Sequence, residues 1–592
     1  MFDFWSNLVK ESIHSSFDHK SFPLPGKRVS AEVDLFAPFS LEEVGKARLP
    51  FNSSPGPDLI SVKNWNKIKD RCKCKLFTVW ARVGATPAFV IPSKTIFLAK
   101  KANTINPGDS RPISIASVIL RHFHNVLAKR LCPILEDVLD PCQFSFRPKD
   151  GLAEAVCRLD DVFSTCKKQI EPLTLALIDL KKAFDSVDHR AIFFTMAALG
   201  IQENFINYLR NLYRHAPTKL LFKGETSESI IPTKGVRQGD PLSPLLFLAV
   251  FDNVLRAIPD VEVFSTDKGR INHLAYADDL VLMSSDTTGL QSIFDSILPV
   301  LKGTGLEINI DKSVTLAWIK DGRAKRLVFD HNPMVLVRNR FLPPMGVSDT
   351  FRYLGVHFST SGRFSFKSDI REKLEVLKHS PLKPQQKLFF LVRFLIPSFL
   401  HVLTFSKIQA GSLNKLDKTV RSFGRLVLHL PHDTPKAFSH ANVPDGGLGI
   451  PSLRWMVPVL AFKRTCNPLT NLRSYEGKTL NSTNQVWAAM KRSLLSTCDG
   501  AGLRECSKIP VTSRWVLDGS NLLTGRDYIY AIQIRSNTLY SRARAARGRT
   551  KDHQCSRGCT QPETLNHIIQ NCYATHKCRI VRHDRVVDYV IP

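Results

Sequence analysis

Acidic residues are scarce in this chain relative to basic ones. Its 592 residues include 82 Lys and Arg but only 53 Asp and Glu, which gives a formal net charge of +29 at pH 7. Hydrophobic residues at 43% and charged residues at 23% are ordinary for a globular protein. That composition excludes a disordered basic tail protein, a collagen and a small disulfide scaffold. The positive excess favours nucleic acid as the partner, with an anionic membrane surface as the weaker alternative.

Targeting and cross-linking features are also missing. The 13 cysteines are odd in number and scattered, so they do not describe a disulfide framework. Residues 1–14 lack a basic start followed by an apolar run, so we expect no signal peptide. The longest apolar stretch, 388–403, is interrupted by Arg393 and Pro397 and is short for a membrane span. The sequence therefore predicts an intracellular protein without a membrane partner.

The chain changes character along its length, without internal repeats. From about residue 94 to 358, short β-rich runs alternate with amphipathic stretches, which indicates an α+β or α/β domain. Residues 370–460 and 461–540 have mostly helical patterns. A compact Cys/His segment comes last, after the arginine-dense run 541–551.

Two sites place carboxylates next to strand-forming apolar residues. A buried β-run, 173–178, ends at Asp179, and we expect a helix to begin near Asp185 or Ser186, either of which could cap it. In 273–283, apolar residues flank Asp278 and Asp279, which predicts a tight β-hairpin with both acids at its tip. Neighbouring carboxylates repel each other unless a cation lies against them, and hard divalent metals prefer carboxylate oxygens. The pattern therefore favours a paired-metal site, although each acid taken alone also fits an ordinary turn.

An ordered series of motifs surrounds these acids and carries a family resemblance. The sequence Tyr-Ala-Asp-Asp at 276–279 resembles the active-site hairpin of reverse transcriptases. Further segments resemble the finger motif, the element after it, the two palm motifs, the strand that carries a lysine and the primer grip: 111–114, 143–148, 173–188, 235–244, 305–312 and 353–356. The residues of the two palm motifs resemble those of non-LTR retrotransposons rather than those of retroviruses. The resemblance covers roughly residues 50–450.

The resemblance implies a catalytic centre for RNA-directed DNA synthesis. Asp179, Asp278 and Asp279 would be the metal-binding carboxylates of two Mg²⁺ ions, with the Leu180 carbonyl as a further ligand and Asp279 less direct. Asp185, Asp188 and Asp240 are interpreted instead as helix caps and turn formers. The expected substrates are an RNA template, a DNA primer or target, and dNTPs.

The same resemblance implies roles for residues around the carboxylates. Phe184 would lie under the sugar of the nucleotide and select dNTPs, and Lys312 would donate a proton to the leaving pyrophosphate. Lys100 and Arg111 would hold the triphosphate, because cations neutralise phosphate oxygens. Lys100 and Lys312 also fit ordinary solvated lysines. The remaining assignments are Gln238 against the sugar and base, Gly239 for close backbone approach, and Tyr353, Leu354 and Gly355 as the primer grip.

The C-terminal Cys/His segment has the spacing of a zinc knuckle. Cys555, Cys559, His567 and Cys572 are compatible with one tetrahedral, structural Zn²⁺ site. The fourth ligand stays open, because His576 and Cys578 are close enough to replace Cys572. The pattern resembles site-specific retrotransposons of the restriction-like-endonuclease class. We expect the neighbouring arginines to face phosphates: Arg542, Arg544, Arg547 and Arg549.

Together these patterns predict an α+β right-hand polymerase with an antiparallel palm sheet, a helical thumb, a helical linker and a zinc knuckle. The predicted divisions are a lead-in at 1–50, fingers and palm at 51–358, thumb at 365–455, linker at 456–550 and knuckle at 551–592. Relatives of this class generally add N-terminal DNA-binding fingers and a C-terminal endonuclease, which we do not expect in this chain.

We predict an RNA-directed DNA polymerase of a non-LTR retrotransposon that uses a DNA 3′ end as primer. It would be nuclear or cytoplasmic, and the family resemblance implies the nucleus. The alternatives are a catalytically decayed RNA-binding scaffold and a polymerase like intron maturases or telomerase.

Overall fold

A computed structural model describes most of the chain. The described residues are 2–10, 19–23, 25–29, 34–100, 107–260, 263–267, 269–363, 369–465, 474–520, 523–546 and 552–590. They form two compact units, one of residues 1–350 with 359–362, and one of residues 351–358 with 363–592. The division falls near the predicted end of the palm at 358, but it assigns the hairpin around Tyr353 to the second unit.

The first unit combines helices with antiparallel sheet. Its helices are α1 (Phe2–Lys10), α2 (Leu41–Lys46), α3 (Val62–Trp65), α4 (Asp70–Val83), α5 (Val118–Glu136), α6 (Gly151–Gln169), α7 (Ala183–Ser186), α8 (His189–Ala198), α9 (Glu203–Arg214), α10 (Ser243–Arg256) and α11 (Thr287–Thr304). Its strands are β1 (Ser93–Ala99), β2 (Ser110–Ala116), β3 (Leu173–Ile178), β4 (Thr218–Phe222), β5 (Glu225–Ile230), β6 (Phe264–Thr266), β7 (Gly269–Ile271), β8 (His273–Tyr276), β9 (Asp279–Ser284), β10 (Val314–Asp321), β11 (Arg326–Asp330), β12 (Leu336–Val337) and β13 (Arg340–Phe341).

A five-stranded antiparallel sheet in the order β11-β10-β3-β9-β8 forms the centre of this unit. Strand β3 is apolar apart from Thr174 and almost entirely buried, as expected for a central strand covered on both faces. Helix α11 packs on β3 and β9, and α6 packs on β8. A second sheet, in the order β2-β1-β4-β5, pairs β1 in parallel with β4 and is otherwise antiparallel.

The chain after β3 turns sharply before its next long helix. Short α7 ends at Ser186, and α8 begins after Asp188, whose carboxylate accepts a hydrogen bond from the Arg190 N–H at 2.8 Å. Asp188 is therefore the N-cap of α8, a few residues after the predicted caps Asp185 and Ser186. The predicted cap role of Asp185 is wrong, because its side chain instead contacts Gln238.

The second unit is helical. Its helices are α12 (Ile370–His379), α13 (Pro384–Phe390), α14 (Ile396–Phe405), α15 (Ala410–Val427), α16 (Lys436–His440), α17 (Leu453–Thr465), α18 (Thr483–Leu495), α19 (Gly525–Arg535), α20 (Arg542–Ala545) and α21 (His576–Val590). The remaining strands are β14 (Thr350–Tyr353), β15 (Val356–Ser359), β16 (Gly362–Arg363), β17 (Ser474–Tyr475) and β18 (Lys478–Thr479).

The helices of the second unit enclose their own apolar core. Buried Asp417 of α15 accepts hydrogen bonds from the Leu453 N–H at 2.7 Å and the Ser452 hydroxyl at 2.6 Å. This carboxylate satisfies the first donors of α17 and ties the two helices together. The predicted α+β class with an antiparallel sheet is confirmed, and the segments predicted as thumb and linker are helical.

Among the described residues, one helical stretch is long and apolar enough by length and composition to cross a membrane: Pro384–Phe405. It is longer than the run predicted at 388–403, because a π-helical turn at Leu391–Leu395 joins α13 to α14 through Arg393. Half of the stretch is buried, and its inner residues belong to the core of the second unit.

Candidate functional site

The predicted carboxylates meet at one end of the central sheet. The β8–β9 hairpin pairs Tyr276 with Asp279 across a two-residue turn of Ala277 and Asp278, so the acids are at its tip as predicted. Strand β9 pairs with β3 up to Ile178 opposite Leu280. Extending this register by one residue brings Asp179 to the level of Asp279.

The negative charges of the Asp179, Asp278 and Asp279 carboxylates repel one another. Burial raises the pKa of Asp278, and the nearby charge of Asp179 acts in the same direction. The pKa of Asp279 is raised to about 6. Burial is the largest cause, and the negative charges of Asp278 and Asp179 act in the same direction. The Asp279 side chain is nevertheless partly exposed. Arg111 and Lys100 partly offset the effect on Asp278. Such a cluster favours a bound cation.

Asp179 is held by Asn309 and Ser313, two residues to which the sequence analysis gave no role. The Asn309 side-chain amide donates to the Asp179 carboxylate at 2.9 Å, and the Asn309 N–H donates to the Asp179 carbonyl at 2.8 Å. The Asp179 N–H donates to the Ser313 hydroxyl at 3.1 Å. The segment 305–312 was predicted as a lysine-bearing strand. It contains only a single bridge from Ile308 to Leu180, and Lys312 lies in the turn that follows.

A cavity of about 1770 Å³ opens beside the carboxylates. The structure brings nine of the predicted site residues to its wall: Lys100, Arg111, Asp179, Leu180, Phe184, Gln238, Gly239, Asp278 and Lys312. Asp279 is not among the described lining residues. Further cations line the same wall: Lys181, Lys182, Lys234, Lys302 and Arg338. The cavity can therefore accept a polyanion next to an acidic centre.

The Phe184 ring is held in place by aromatic stacking. Its ring stacks on Phe247 of α10 with centroids 4.4 Å apart and an angle of 16° between the planes, and Phe247 stacks in turn on Phe251. Its carbonyl accepts a hydrogen bond from the Val236 N–H at 2.7 Å. The half-buried ring cannot retreat without disturbing this aromatic stack, so it forms a firm part of the cavity wall.

Gln238 is engaged by a partner that the sequence did not predict. Its side-chain amide donates to both carboxylate oxygens of Asp185, each at 3.0 Å. Burial raises the pKa of Asp185 to about 7. The neighbouring Gly239 has φ of +113°, and a Cβ there would lie 2.7 Å from the Ser114 carbonyl oxygen, so glycine is required by both conformation and space.

The two predicted triphosphate-binding cations come from adjacent strands. Arg111 of β2 pairs with Leu98 of β1, and Lys100 follows the end of β1, where its N–H donates to the Asp109 carbonyl at 2.8 Å. Both side chains are exposed and line the cavity. The β1–β2 hairpin therefore carries positive charge to the same space as the carboxylates.

The predicted primer-grip residues form the β14–β15 turn in the second unit. Leu354 and Gly355 both have positive φ, at +47° and +82°. The Leu354 carbonyl is 2.9 Å from His401 Nε2. Tyr353 is 3% exposed, so its ring contributes to packing in this hairpin.

The C-terminal segment gathers the predicted zinc ligands. The ligand atoms of Cys555, Cys559, His567 and Cys572 all lie within 4.8 Å of one another. Cys572 Sγ is 3.7 Å from Cys559 Sγ and 3.9 Å from Cys555 Sγ. The Arg557 N–H is the largest of the influences that lower the pKa of the Cys555 thiol to about 7. His567 Nε2 is buried without a hydrogen-bond partner among the described residues, as expected of a ligand nitrogen.

The alternative zinc ligands are placed differently. Cys578 is exposed on α21, and His576 Nδ1 contacts the Arg579 guanidinium at 3.2 Å. Neither residue belongs to the Cys/His cluster found among the described residues. The geometry therefore favours Cys572 as the fourth member.

Not every arginine of the run before the knuckle faces solvent. Arg544 is 10% exposed; it donates to the Asp499 carboxylate at 3.1 Å and to Asp433 at 2.9 Å. The interpretation of Arg544 as a phosphate contact is therefore wrong. Arg542 stays half-exposed near Asp552, and Arg547 and Arg549 lie outside the described residues.

Comparison with known proteins agrees with this site. Residues 98–358 match the family model described as reverse transcriptase (RNA-dependent DNA polymerase). The chain is 35% identical to the Retrovirus-related Pol polyprotein from type-2 retrotransposable element R2DM of Drosophila melanogaster, over 93% of this chain and 54% of that protein. It is 35% identical to the Pol polyprotein from a type-1 retrotransposable element R2 of Nasonia vitripennis, over 95% and 56%. A corresponding R2 polyprotein of Bradysia coprophila is 33% identical over 99% of this chain and 70% of its own length.

Among solved structures, the chain is similar to an apo telomerase from Candida tropicalis truncated from its C-terminal domain, with 13% identity over 52% of this chain and 61% of that chain. The TM-score of this comparison is 0.33.

The central antiparallel sheet ends in clustered carboxylates beside a cationic cavity. The chain belongs to the reverse transcriptase class. Within that class the chain belongs to the R2 family of retrotransposable-element Pol polyproteins. The predicted resemblance to non-LTR retrotransposons is thereby confirmed. The chain spans about half the length of the Drosophila and Nasonia relatives.

Proposed function

We propose that this chain is an RNA-directed DNA polymerase that copies retrotransposon RNA into cDNA from a DNA 3′ end. The observation that carries the proposal is one cavity wall that contains the carboxylates of Asp179 and Asp278 together with the cations Lys100 and Arg111. Nucleotidyl transfer needs this combination, because positioning and charge neutralisation supply most of its catalysis. The partners would be an RNA template, a DNA primer or target, and dNTPs. Genomic target DNA as primer would place the reaction in the nucleus.

The donor set fits magnesium. Carboxylate and carbonyl oxygens are the ligands that hard divalent cations prefer. Burial raises the pKa of Asp278 and Asp279, so a bound cation would stabilise their charged form. Asp179, Asp278 and the Leu180 carbonyl would hold two Mg²⁺ ions, with Asp279 less direct. Bound there, the ions would activate the primer hydroxyl and stabilise the leaving pyrophosphate.

The remaining residues of the wall would orient the nucleotide. The Arg111 guanidinium and Lys100 ammonium would neutralise the triphosphate. Phe184, backed by Phe247, would exclude a 2′-hydroxyl and so select deoxyribonucleotides. Lys312, exposed in its turn, would protonate the leaving pyrophosphate.

Zinc is the metal that best fits the C-terminal cluster. Three thiols and one imidazole are a structural zinc ligand set, and four protein ligands leave no open position for catalysis. A segment this short has little core of its own, so zinc would supply much of its folding free energy.

The test is template-dependent synthesis by the purified chain with an RNA template, a DNA primer, dNTPs and Mg²⁺. We expect primer extension by the wild type, and its loss in Asp278→Asn with RNA affinity unchanged, because the substitution removes a metal-binding charge. Asp295→Asn is the matched control, since Asp295 lines the cavity without joining the carboxylate cluster. Synthesis that survives Asp278→Asn would contradict the metal assignment. A wild type that binds RNA but incorporates nothing would support the scaffold alternative.

A further inference from the structure

The turn that carries Asp278 has an unfavourable backbone conformation. Between Tyr276 and Asp279, Ala277 has φ of +55°, in the left-handed region. A residue with a Cβ seldom adopts this region, because Cβ approaches the following carbonyl. Surrounding contacts must therefore maintain the turn, and the position of the Asp278 carboxylate depends on them.

One side chain contacts both backbone polar groups of Ala277. Gln143 Oε1 accepts a hydrogen bond from the Ala277 N–H at 3.2 Å, and Gln143 Nε2 makes a longer contact to the Ala277 carbonyl at 3.5 Å. Gln143 is 1% exposed, so water competes little for these contacts. The amide therefore recognises the conformation of residue 277 rather than its side chain.

The backbone beside Gln143 is attached to the same hairpin. The Phe144 N–H donates to the Ala275 carbonyl at 2.8 Å, and the Ala275 N–H donates to the Cys142 carbonyl at 3.0 Å. These bonds form a parallel bridge between Gln143 and Ala275. The segment thus adds a short strand to β8 and aligns the Gln143 side chain with the turn.

The orientation of the Gln143 amide is also determined. Its Oε1 accepts from the Ser145 hydroxyl at 2.8 Å and the Ser145 N–H at 3.2 Å, besides the Ala277 N–H. Exchanging the oxygen and nitrogen would point the NH₂ group at two backbone N–H donors, which is unfavourable. The Gln143 amide is therefore already oriented to contact both the N–H and the carbonyl of Ala277.

We propose that Gln143 is a positioning residue that keeps the Ala277–Asp278 turn in its left-handed conformation, so that Asp278 lies beside Asp179 before substrate arrives. The inference rests on the proposed polymerase function. Gln143 does not belong to the lining of the cavity, so it acts through the turn and not on the nucleotide. Its loss would consequently alter kcat and the Mg²⁺ requirement more than the KM for dNTP.

The first test is Gln143→Met, which keeps the length of the side chain and removes its hydrogen bonds. We expect kcat to fall by about 10- to 100-fold, since small misplacements of reacting groups have effects of this size. The Mg²⁺ concentration for half-maximal rate should rise, while dNTP KM and RNA affinity stay within about twofold, as for a residue that touches neither ligand.

The second test is rescue by Ala277→Gly. Glycine adopts positive φ at little cost, so the loss of kcat caused by Gln143→Met should be at least about fivefold smaller in a chain that already carries Ala277→Gly than in the wild-type chain. General damage to folding would not be repaired by a second substitution that removes a methyl group. Ser145→Ala is the matched control, because it removes a contact to the same oxygen without freeing the turn.

The outcomes separate the two proposals. A Gln143→Met chain with wild-type kcat and Mg²⁺ dependence would refute the positioning role, as would a defect confined to dNTP KM or one that Ala277→Gly leaves unchanged. If Gln143→Met does not fold, the shorter Gln143→Asn, with and without Ala277→Gly, measures the same rescue. If the wild type itself incorporates no dNTP, the polymerase proposal fails instead.

Discussion

Asp185 provides a test of how burial sets the charge of the cavity wall. Its carboxylate accepts both contacts from the Gln238 amide at 3.0 Å, and burial raises its pKa from an ordinary value of 3.8 to about 7. Lys182 and Lys100 oppose the rise without cancelling it. The substitution Asp185→Asn keeps an oxygen acceptor for Gln238 and removes the ionisation.

The sign of the effect follows from the raised pKa. Below pH 3.8 the carboxyl is protonated in both the folded and the unfolded chain, so it imposes no penalty. As the pH rises toward 7, the unfolded chain releases the proton while the folded chain retains it, and folding becomes less favourable. The full penalty of about 4 kcal/mol is reached above pH 7, because a tenfold difference in proton affinity between the folded and unfolded chain corresponds to about 1.4 kcal/mol.

Hydrogen exchange of the peptide 183–198 measures this penalty locally. Comparing Asp185→Asn with the wild type at each pH cancels the intrinsic pH dependence of exchange. Between about pH 5 and pH 8 the advantage of the variant should grow by about 2 to 3 kcal/mol, or roughly 30- to 150-fold in protection. Magnesium is omitted, because a bound cation would stabilise the carboxylate.

A difference that stays flat across this pH range would refute the raised pKa of Asp185. A difference of opposite slope would show that Lys182 and Lys100 outweigh burial at this carboxylate.

Three further predictions concern the cavity wall and the second unit. Phe184→Val should admit ribonucleotides, because it removes the ring that would meet a 2′-hydroxyl; unchanged ribonucleotide-to-deoxyribonucleotide kcat/KM ratios would exclude Phe184 from that role. Cys572→Ser should lose one zinc per chain by elemental analysis, whereas Cys578→Ser keeps it, since Cys578 lies outside the cluster; the reverse result would reassign the fourth ligand. Arg544→Met should lower the free energy of unfolding by about 3 kcal/mol in urea titrations, because it removes the arginine charge from the buried carboxylate of Asp499; loss of RNA affinity at unchanged stability would contradict the structural role of Arg544.

Local patterns were sufficient for much of the site. The continuous apolar run before Asp179 and the apolar flanks of Asp278 and Asp279 predicted a buried strand and a hairpin, because these elements depend on short-range burial and turn formation. The Cys/His spacing predicted the cluster of three thiols and one imidazole for the same reason, since its members lie within 18 residues of chain, from Cys555 to Cys572. Asp188 shows the limit of such reasoning, because the helix start was correct only to within three residues.

Residue types in a short-range order were enough to predict the fold class and the family and to propose the chemistry of the site. The partner of each polar side chain, in contrast, became visible only in the folded structure. Asp185 meets Gln238, Gln143 meets Ala277, and Arg544 meets Asp433 and Asp499, across 45 to 134 residues of chain. Such pairings arise from the packing of distant elements, where burial makes each polar group require a partner. No local pattern specifies that partner.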